Sequence, residues 1–255
     1  MTLRRVTMLG SGTSSGVPVI GCTCPVCTSA DPRNRRLRAS VRLELAGGTV
    51  LVDTSPDLRE QALRSGLDRL DAILFTHAHA DHLFGLDDVR IFNFRQRAAI
   101  PCFGSPATLE RVRTAFSYVF EEGQEGGGKP QLELRPVNGP FELLGARVVP
   151  VPVWHGSLPV LGYRIDGFAY VTDVNRIPEE SYPLLAGLEV LLGALRYRPH
   201  PTHFSIGEAV AVAARIGARR TFFTHLAHDV DHAAPALPLP PGVAFGHDGL
   251  ELDLS

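Results

Sequence analysis

The sequence predicts one α/β domain of layered type. Three observations carry this reading. Short apolar segments with strand character recur along the whole 255-residue chain. Helical patterns stand between them in both halves instead of gathering in one block. Gly (25) and Pro (20) together make about 18% of the residues against a usual ~12%, which implies many tight turns between short elements. Hydrophobic residues at 44% suffice for a packed core, and charged residues at 20% are too few for a disordered or coiled-coil chain. Neither an internal repeat nor a long linker divides the chain, so residues 1–255 read as a single domain.

In order, residues 5–9, 41–45 and 50–52 read as strands. Residues 57–64 read as a helix with Pro56 at a first-turn position. The apolar run 73–75 is the next strand, and 106–120 carries Leu109, Val112, Phe116 and Val119 at helical spacing. Residues 121–130, containing Gly126, Gly127 and Gly128, form the one low-complexity stretch, either a flexible surface connection or a mobile active-site lid. Strands follow at 147–151, 162–165, 169–172, 190–192 and 221–224. Before the last of these, Ser205 with Glu208 three residues on is a capping box that starts a helix over Ile206–Ile216.

The formal charge of −2 gives no global field for coating DNA or an acidic membrane. Lys129 is the sole lysine beside 24 arginines, so Schiff-base and phosphate-loop lysine chemistry have almost no candidate, and arginine must do any anion binding. No apolar run approaches the ~20 residues of a membrane span, and residues 6–9 after Arg4 and Arg5 are too short for a signal peptide. The expectation is a cytoplasmic protein without a membrane partner. Cys22, Cys24 and Cys27 crowd into six residues with only Cys102 elsewhere, which suits a metal better than a disulfide framework. Cys102, between Pro101 and Phe103, reads as a small core residue.

The chemistry concentrates in Thr76-His77-Ala78-His79-Ala80-Asp81-His82, on the loop leaving the strand 73–75. Alternating His77 and His79 can converge on one ion, while Asp81 and His82 reach a second position beside it. Three imidazoles and a carboxylate within six residues exceed what solubility or packing requires. The loop 21–28 offers three thiolates, and a closed tetrahedral zinc needs one more ligand. Gly10 and Gly12 do not make a dinucleotide fingerprint, because the third glycine falls at 16 and Pro18 stands where a helix would begin. That opening segment reads as a turn-rich loop or an anion-cradling backbone. The run Arg33, Arg35, Arg36, Arg38 is either a solvated loop or an RNA contact.

The H-x-H-x-D-H run after a strand resembles the metallo-β-lactamase fold superfamily. Over nearly the whole chain the pattern resembles the PhnP-type phosphoribosyl cyclic phosphodiesterase branch, related to ribonuclease Z. The matching stretches are 10–18 leading into the cysteines, 36–40, 85–90 after the metal loop, and 199–205 through 224–228. The resemblance implies a four-layered αββα sandwich with a metal site at one sheet edge. It implies His155, Asp173 and His225, each after a strand, as the remaining ligands. Site one would be His77, His79 and His155, site two Asp81, His82 and His225, with Asp173 bridging. Asp53, at the end of 50–52, is either a turn aspartate or, as the resemblance implies, the group orienting a metal-bound histidine. The resemblance also pairs His228 with Cys22, Cys24 and Cys27, leaving His232 as competitor.

The implied cofactors are two divalent ions, zinc or manganese, and one structural zinc. Such a pair can hold a bridging hydroxide, lower its pKa and stabilise both oxygens of an in-line displacement at phosphorus. The expected function is a phosphodiesterase opening a small cyclic phosphodiester, phosphoribosyl 1,2-cyclic phosphate or a cyclic nucleotide. Asp81 and His203 are its candidate catalytic residues; His203 is either a surface histidine flanking the helix or, as the resemblance implies, the group that clamps the phosphate or protonates the leaving alkoxide. His200 and Arg90 are candidate substrate contacts. The rival enzyme is a ribonuclease Z-like tRNA 3′-processing endonuclease, disfavoured because the insertion near 121–130 is short and acidic at its start. From another class comes a non-catalytic, metal-stabilised binding protein. The expected partner is a small molecule, with nucleic acid disfavoured and a homodimer left open.

Overall fold

The computed structural model describes residues 2–121 and 128–254. Among them, one sheet contains β1 (Leu3–Gly10), β2 (Ser40–Leu45), β3 (Gly48–Val52), β4 (Ala72–Leu74), β5 (Ile100–Gly104) and β6 (Leu132–Pro136). The other contains β7 (Phe141–Leu143), β8 (Ala146–His155), β9 (Leu158–Ile165), β10 (Phe168–Val171), β11 (Glu189–Gly193), β12 (Arg220–Thr224) and β13 (Val243–Phe245). The last strand, β14 (Glu251–Asp253), returns to the first sheet, giving the orders β14-β1-β2-β3-β4-β5-β6 and β13-β12-β11-β10-β9-β8-β7. Each sheet is antiparallel at one side and parallel at the other: β3 to β6 and β10 to β13 run parallel.

The alternation of side chains along the strands builds the layers. Val50 and Val52 point inward with Val6, Val41, Leu43 and Leu74 against Val148, Tyr163, Ile165, Phe168 and Tyr170 of the second sheet. Leu51 points outward with Ile73, Phe75 and Cys102 under the helices α1 (Leu58–Ser65), α2 (Ala80–Leu83), α3 (Arg90–Gln96), α4 (Pro106–Ala115) and α5 (Ser117–Phe120). On the far side, α6 (Ile206–Ile216) covers Val151, Val171, Val190, Leu192 and Phe223. This is the four-layered αββα sandwich. Val50, Leu51 and Val52 are fully buried, and each such side chain contributes ~1.5–3 kcal/mol. The Tyr163 hydroxyl donates to Phe75 O at 2.7 Å and Leu161 N–H to Thr76 O at 3.1 Å, fastening the second sheet to the segment that enters the histidine loop.

Several expectations are corrected in detail. The helix over 106–120 breaks at Phe116, whose φ of −120° is not helical, into α4 and α5. Pro56 lies in a turn ahead of α1, and Asp57 does not cap it; its carboxylate accepts from Arg38 N at 2.8 Å and pairs with Arg38 Nη1 at 2.8 Å. The strands β5, β6, β7, β13 and β14 are additional. The Ser205–Glu208 capping box and Ile206–Ile216 stand as expected, with Gly217 as the left-handed cap. Of the glycine-rich stretch, residues 122–127 lie outside the described residues. No helix among the described residues is long and apolar enough to cross a membrane.

Candidate metal centre

The site forms where strands from both sheets end side by side. His77 and His79 follow β4, Asp81 and His82 lie in α2, His155 closes β8, Asp173 follows β10 and His225 follows β12. Within each of two groups, one ligand atom per residue lies within 4.8 Å of all the others. The groups are His77, His79, His155 and Asp173, and Asp81, His82, Asp173 and His225.

Three histidine tautomers follow from their neighbours. His82 Nδ1 faces Asp53 Oδ2 at 2.8 Å and His155 Nδ1 faces the Thr202 carbonyl at 2.7 Å; both partners are acceptors, so each Nδ1 carries the proton. Thr76 Oγ1 gives its own proton to Asp53 Oδ2 at 2.8 Å, so it accepts from His77 Nδ1 at 3.0 Å. All three Nε2 lone pairs are therefore left for the site's interior. His77 Nε2 and His82 Nε2 are buried without a hydrogen-bond partner among the described residues.

Imidazole nitrogens and carboxylate oxygens then converge. His82 Nε2 lies 3.3 Å from Asp81 Oδ2 and 3.2 Å from Asp173 Oδ1, and His225 Nε2 lies 3.4 and 3.2 Å from the same two atoms. Bonds of ~2.0–2.1 Å to a tetrahedral ion put ligand atoms ~3.3 Å apart, so these separations fit one shared cation. Asp173 Oδ2 turns the other way, 3.9 Å from His77 Nε2 and 3.8 Å from His155 Nε2. One buried carboxylate thus addresses both groups, one oxygen each.

The electrostatics ask for positive charge. Against the desolvation of full burial, the Asp173 and Asp53 carboxylates push His82 well above the usual imidazole range, so a cation, a proton or a metal ion, is favoured at its Nε2. Burial and the neighbouring His82 hold His77 well below it, the neutral form a ligand needs. Asp173 is itself held well below the carboxylate range: His225 and His82 outweigh its desolvation.

The backbone is bent to make this arrangement. Asp53, Asp173 and His225 have φ of 64°, 46° and 62°, a left-handed conformation that costs a non-glycine residue roughly 1–2 kcal/mol. Such strain persists when the surroundings over-determine it. Asp53 is pinned by Thr76 N–H at 2.8 Å and its own N–H donates to Leu74 O. Gly85, just past α2, touches Ser55 O so closely that a Cβ would stand 1.9 Å from it.

His203 lies at the rim. Its Nε2 is 3.2 Å from Asp173 Oδ2, and its ring stacks on His225 with centroids 5.0 Å apart. Its Nδ1 meets Thr202 Oγ1 at 3.0 Å and His200 Nδ1 at 3.2 Å, so His200 touches the site through His203. Arg90 pairs with Asp87, which also accepts from the Tyr118 hydroxyl; no hydrogen bond or ion pair among the described residues joins Arg90 to the cluster. Thr76 and Thr202 were missed as functional residues. Thr76 could have been found from its place beside His77, whereas the Thr202 carbonyl leaves no signal in a sequence.

The cysteines form a separate centre. His228 Nδ1 lies 3.3, 3.5 and 3.6 Å from the sulfurs of Cys22, Cys24 and Cys27. The Cys27 N–H donating to its sulfur draws the Cys24 thiol down to about 6, while burial pushes Cys27 up to about 11. His232 is turned elsewhere: its ring packs on His247 and Phe245, and its N–H donates to Asn34 Oδ1. The fold thus brings His228, not His232, to the three sulfurs.

The β-lactamase superfamily domain profile matches residues 48–226. A crystal structure of a diphosphatase from the PhnP family superposes with a TM-score of 0.92 at 44% identity, covering 98% of each chain. The chain belongs to the PhnP family. Among curated relatives of this PhnP-family chain, an octanoyltransferase of Porphyromonas gingivalis is 40% identical over 253 residues, 97% of this chain. The chain spans about half of that protein's length, 51%. A ribonuclease Z of Mycolicibacterium paratuberculosis is 25% identical over 248 residues, 82% of this chain and 85% of that one. Fold, cluster and family give the chain the ligand set of a metal-dependent hydrolase.

Proposed function

We propose that this PhnP-family protein hydrolyses a small phosphoric ester at a two-ion centre, with a cyclic phosphodiester of the phosphoribosyl 1,2-cyclic phosphate or cyclic nucleotide kind as the first candidate. The observation that carries this is Asp173, whose two oxygens face two separate ligand groups. His77, His79 and His155 would hold one zinc or manganese, Asp81, His82 and His225 the other. A third ion, zinc, would belong to Cys22, Cys24, Cys27 and His228. The active-site pair would supply a water acidic enough to attack phosphorus at neutral pH and would neutralise both oxygens of the displacement.

The chain's own residues do the rest. Asp53, Thr76 and Thr202 fix the tautomers of the ligating histidines, so that binding and orientation do not compete with proton placement. Asp81, on the first turn of α2, would give site two its one carboxylate besides Asp173. His203 stands beside Asp173 without belonging to either ligand group, and can clamp a phosphoryl oxygen or hand a proton to the leaving oxygen.

A second reading, favoured by the neighbour described as a diphosphatase, is cleavage of a P–O–P bond. The two differ in what leaves: an alkoxide needs a proton, whereas a phosphate leaves with little help. The RNA reading loses support from the arginine run. Arg33 pairs with Asp31, Arg38 with Asp57, and Arg36 is buried, which leaves Arg35 exposed. All seven ligand candidates are present, against a non-catalytic binding protein.

The experiment is a turnover screen of metal-reconstituted protein against 2′,3′-cyclic nucleotides, phosphoribosyl cyclic phosphate, linear bis-esters, diphosphate diesters and a pre-tRNA. Turnover of small cyclic esters is expected. Preference for diphosphates selects the second reading, and cleavage of pre-tRNA alone overturns both.

A further inference from the structure

The turn from His225 to Val230 carries a residue of each centre, His225 at the His/Asp cluster and His228 at the cysteines. Its backbone is fastened at several points. Leu226 N–H donates to Ser11 O at 2.8 Å, Thr13 N–H to Leu226 O at 3.1 Å, and Ala227 N–H to Leu195 O at 2.8 Å. Two further carbonyls of the turn, those of Ala227 and Val230, meet one side chain, Arg36. The guanidinium donates from Nη1 to Ala227 O at 3.0 Å and from Nη2 to Val230 O at 2.6 Å and Asn34 Oδ1 at 2.9 Å.

Arg36 is 1% exposed and the largest fully buried side chain described. No carboxylate forms an ion pair with it among the described residues, so its charge is spent on carbonyl dipoles, an expensive way to fill a core. Burial draws its pKa down to about 10, which still leaves it charged at neutral pH. Its own backbone exchanges two hydrogen bonds with Val17, at 2.8 and 2.9 Å, and Val17 packs with Val26 and Cys27 in the cysteine loop. Arg36 therefore joins the cysteine loop on its backbone side to the ligand-bearing turn on its side-chain side.

We propose that Arg36 is a positioning residue that holds the His225–Val230 turn in register with both centres, so that the cysteine site and site two are coupled through it. This rests on the metal-centre reading above. The planar fork of the guanidinium is what reaches two carbonyls and Asn34 together; a lysine keeps the charge and much of the bulk but cannot span them.

The test uses Arg36→Lys and, as the control on the same segment, the exposed Arg35→Ala. Both are loaded with Co2+ or Zn2+ alone. Arg36→Lys should release zinc from the cysteine site to a chelator about tenfold to a hundredfold faster. It should weaken the second active-site ion by a comparable factor, the usual cost of losing a group that orients a ligand. It should also alter the thiolate-to-cobalt absorption of the cysteine site, which a mere loss of global stability would leave unchanged in the folded fraction. Arg35→Ala should match wild type. An Arg36→Lys protein with wild-type spectrum and zinc release overturns the proposal. Wild type binding no ion at either centre instead overturns the metal reading, a distinguishable result. Should Arg36→Lys not fold, His228→Ala reads the coupling from the other end: an unchanged affinity for the second active-site ion then refutes it.

Discussion

His82 Nδ1 stands 2.8 Å from Asp53 Oδ2, with both side chains wholly buried and Asp53 in the left-handed region. Asp53→Asn isolates what this contact does. Asparagine tolerates that backbone, but its amide can meet the His82 N–H with a donor and so drive the proton to Nε2. Site two should lose about tenfold to a hundredfold in metal affinity with the fold kept, as read by chelator competition. Unchanged affinity would remove Asp53 from the centre.

Asp173→Asn should cost at least one active-site ion and nearly all turnover, because one oxygen is replaced by a donor that neither group can use. Asp57→Ala is the contrasting change. It removes the partner of Arg38 and should cost ~1 kcal/mol of stability while metal content stays at the wild-type value. Elemental analysis of both variants decides; full activity in Asp173→Asn would refute the two-ion assignment.

His203→Ala should keep both active-site ions yet lose roughly 10²–10⁴ in rate, the span of a positioned acid or base. If His203 protonates the leaving oxygen, the loss shrinks for an ester with a nitrophenolate leaving group. Equal losses on both substrates assign it to clamping the phosphate. A variant that sheds metal places His203 among the ligands instead.

Wild type should contain three ions per chain, and mild chelation should leave about one zinc. Cys22→Ser should lack that zinc and unfold more readily, since a closed site contributes folding energy rather than a nucleophile. Finding no zinc in either protein would sink the structural site.

Asp248 gives a pH dependence away from the metals. Its carboxylate accepts from Ser11 N, Ser11 Oγ and Leu37 N at 2.7–2.9 Å, but burial pushes its pKa up to about 6. A carboxyl raised on folding stabilises most below its unfolded value of ~3.9, and that contribution is lost as pH rises through 6. The stability of wild type relative to Asp248→Asn should therefore decline between about pH 4 and 6, measured by urea midpoints. A flat or rising difference would contradict it.

Much of the candidate centre was legible because its proposed ligands sit where strands end, and the strands of the inner layers are buried apolar runs that announce themselves. Val50 to Val52 and Ile73 to Phe75 are of this kind, and so is the capping box at Ser205. What escaped is made of tertiary pairing. β5 is interrupted by Pro101, and β6 alternates Leu132 and Leu134 with Glu133 and Arg135 over too few, half-exposed residues to stand out; their partners define them. The arginine run looked like one solvated feature, yet its members have three fates, and only packing sends Arg36 inward. The break at Phe116 falls inside an unbroken helical period.

The ligand groups draw from both halves of the sandwich: His77, His79, Asp81 and His82 from the first sheet, His155, Asp173 and His225 from the second. An ion bound there is a cross-link as well as a reagent. It would set the gap between the sheets at their open edge by its bond lengths, as a spacer sets the jaws of a vice. Exchanging zinc for a larger ion should widen that edge and the mouth above it. The choice of metal would then tune which substrate fits as well as how acidic its water becomes.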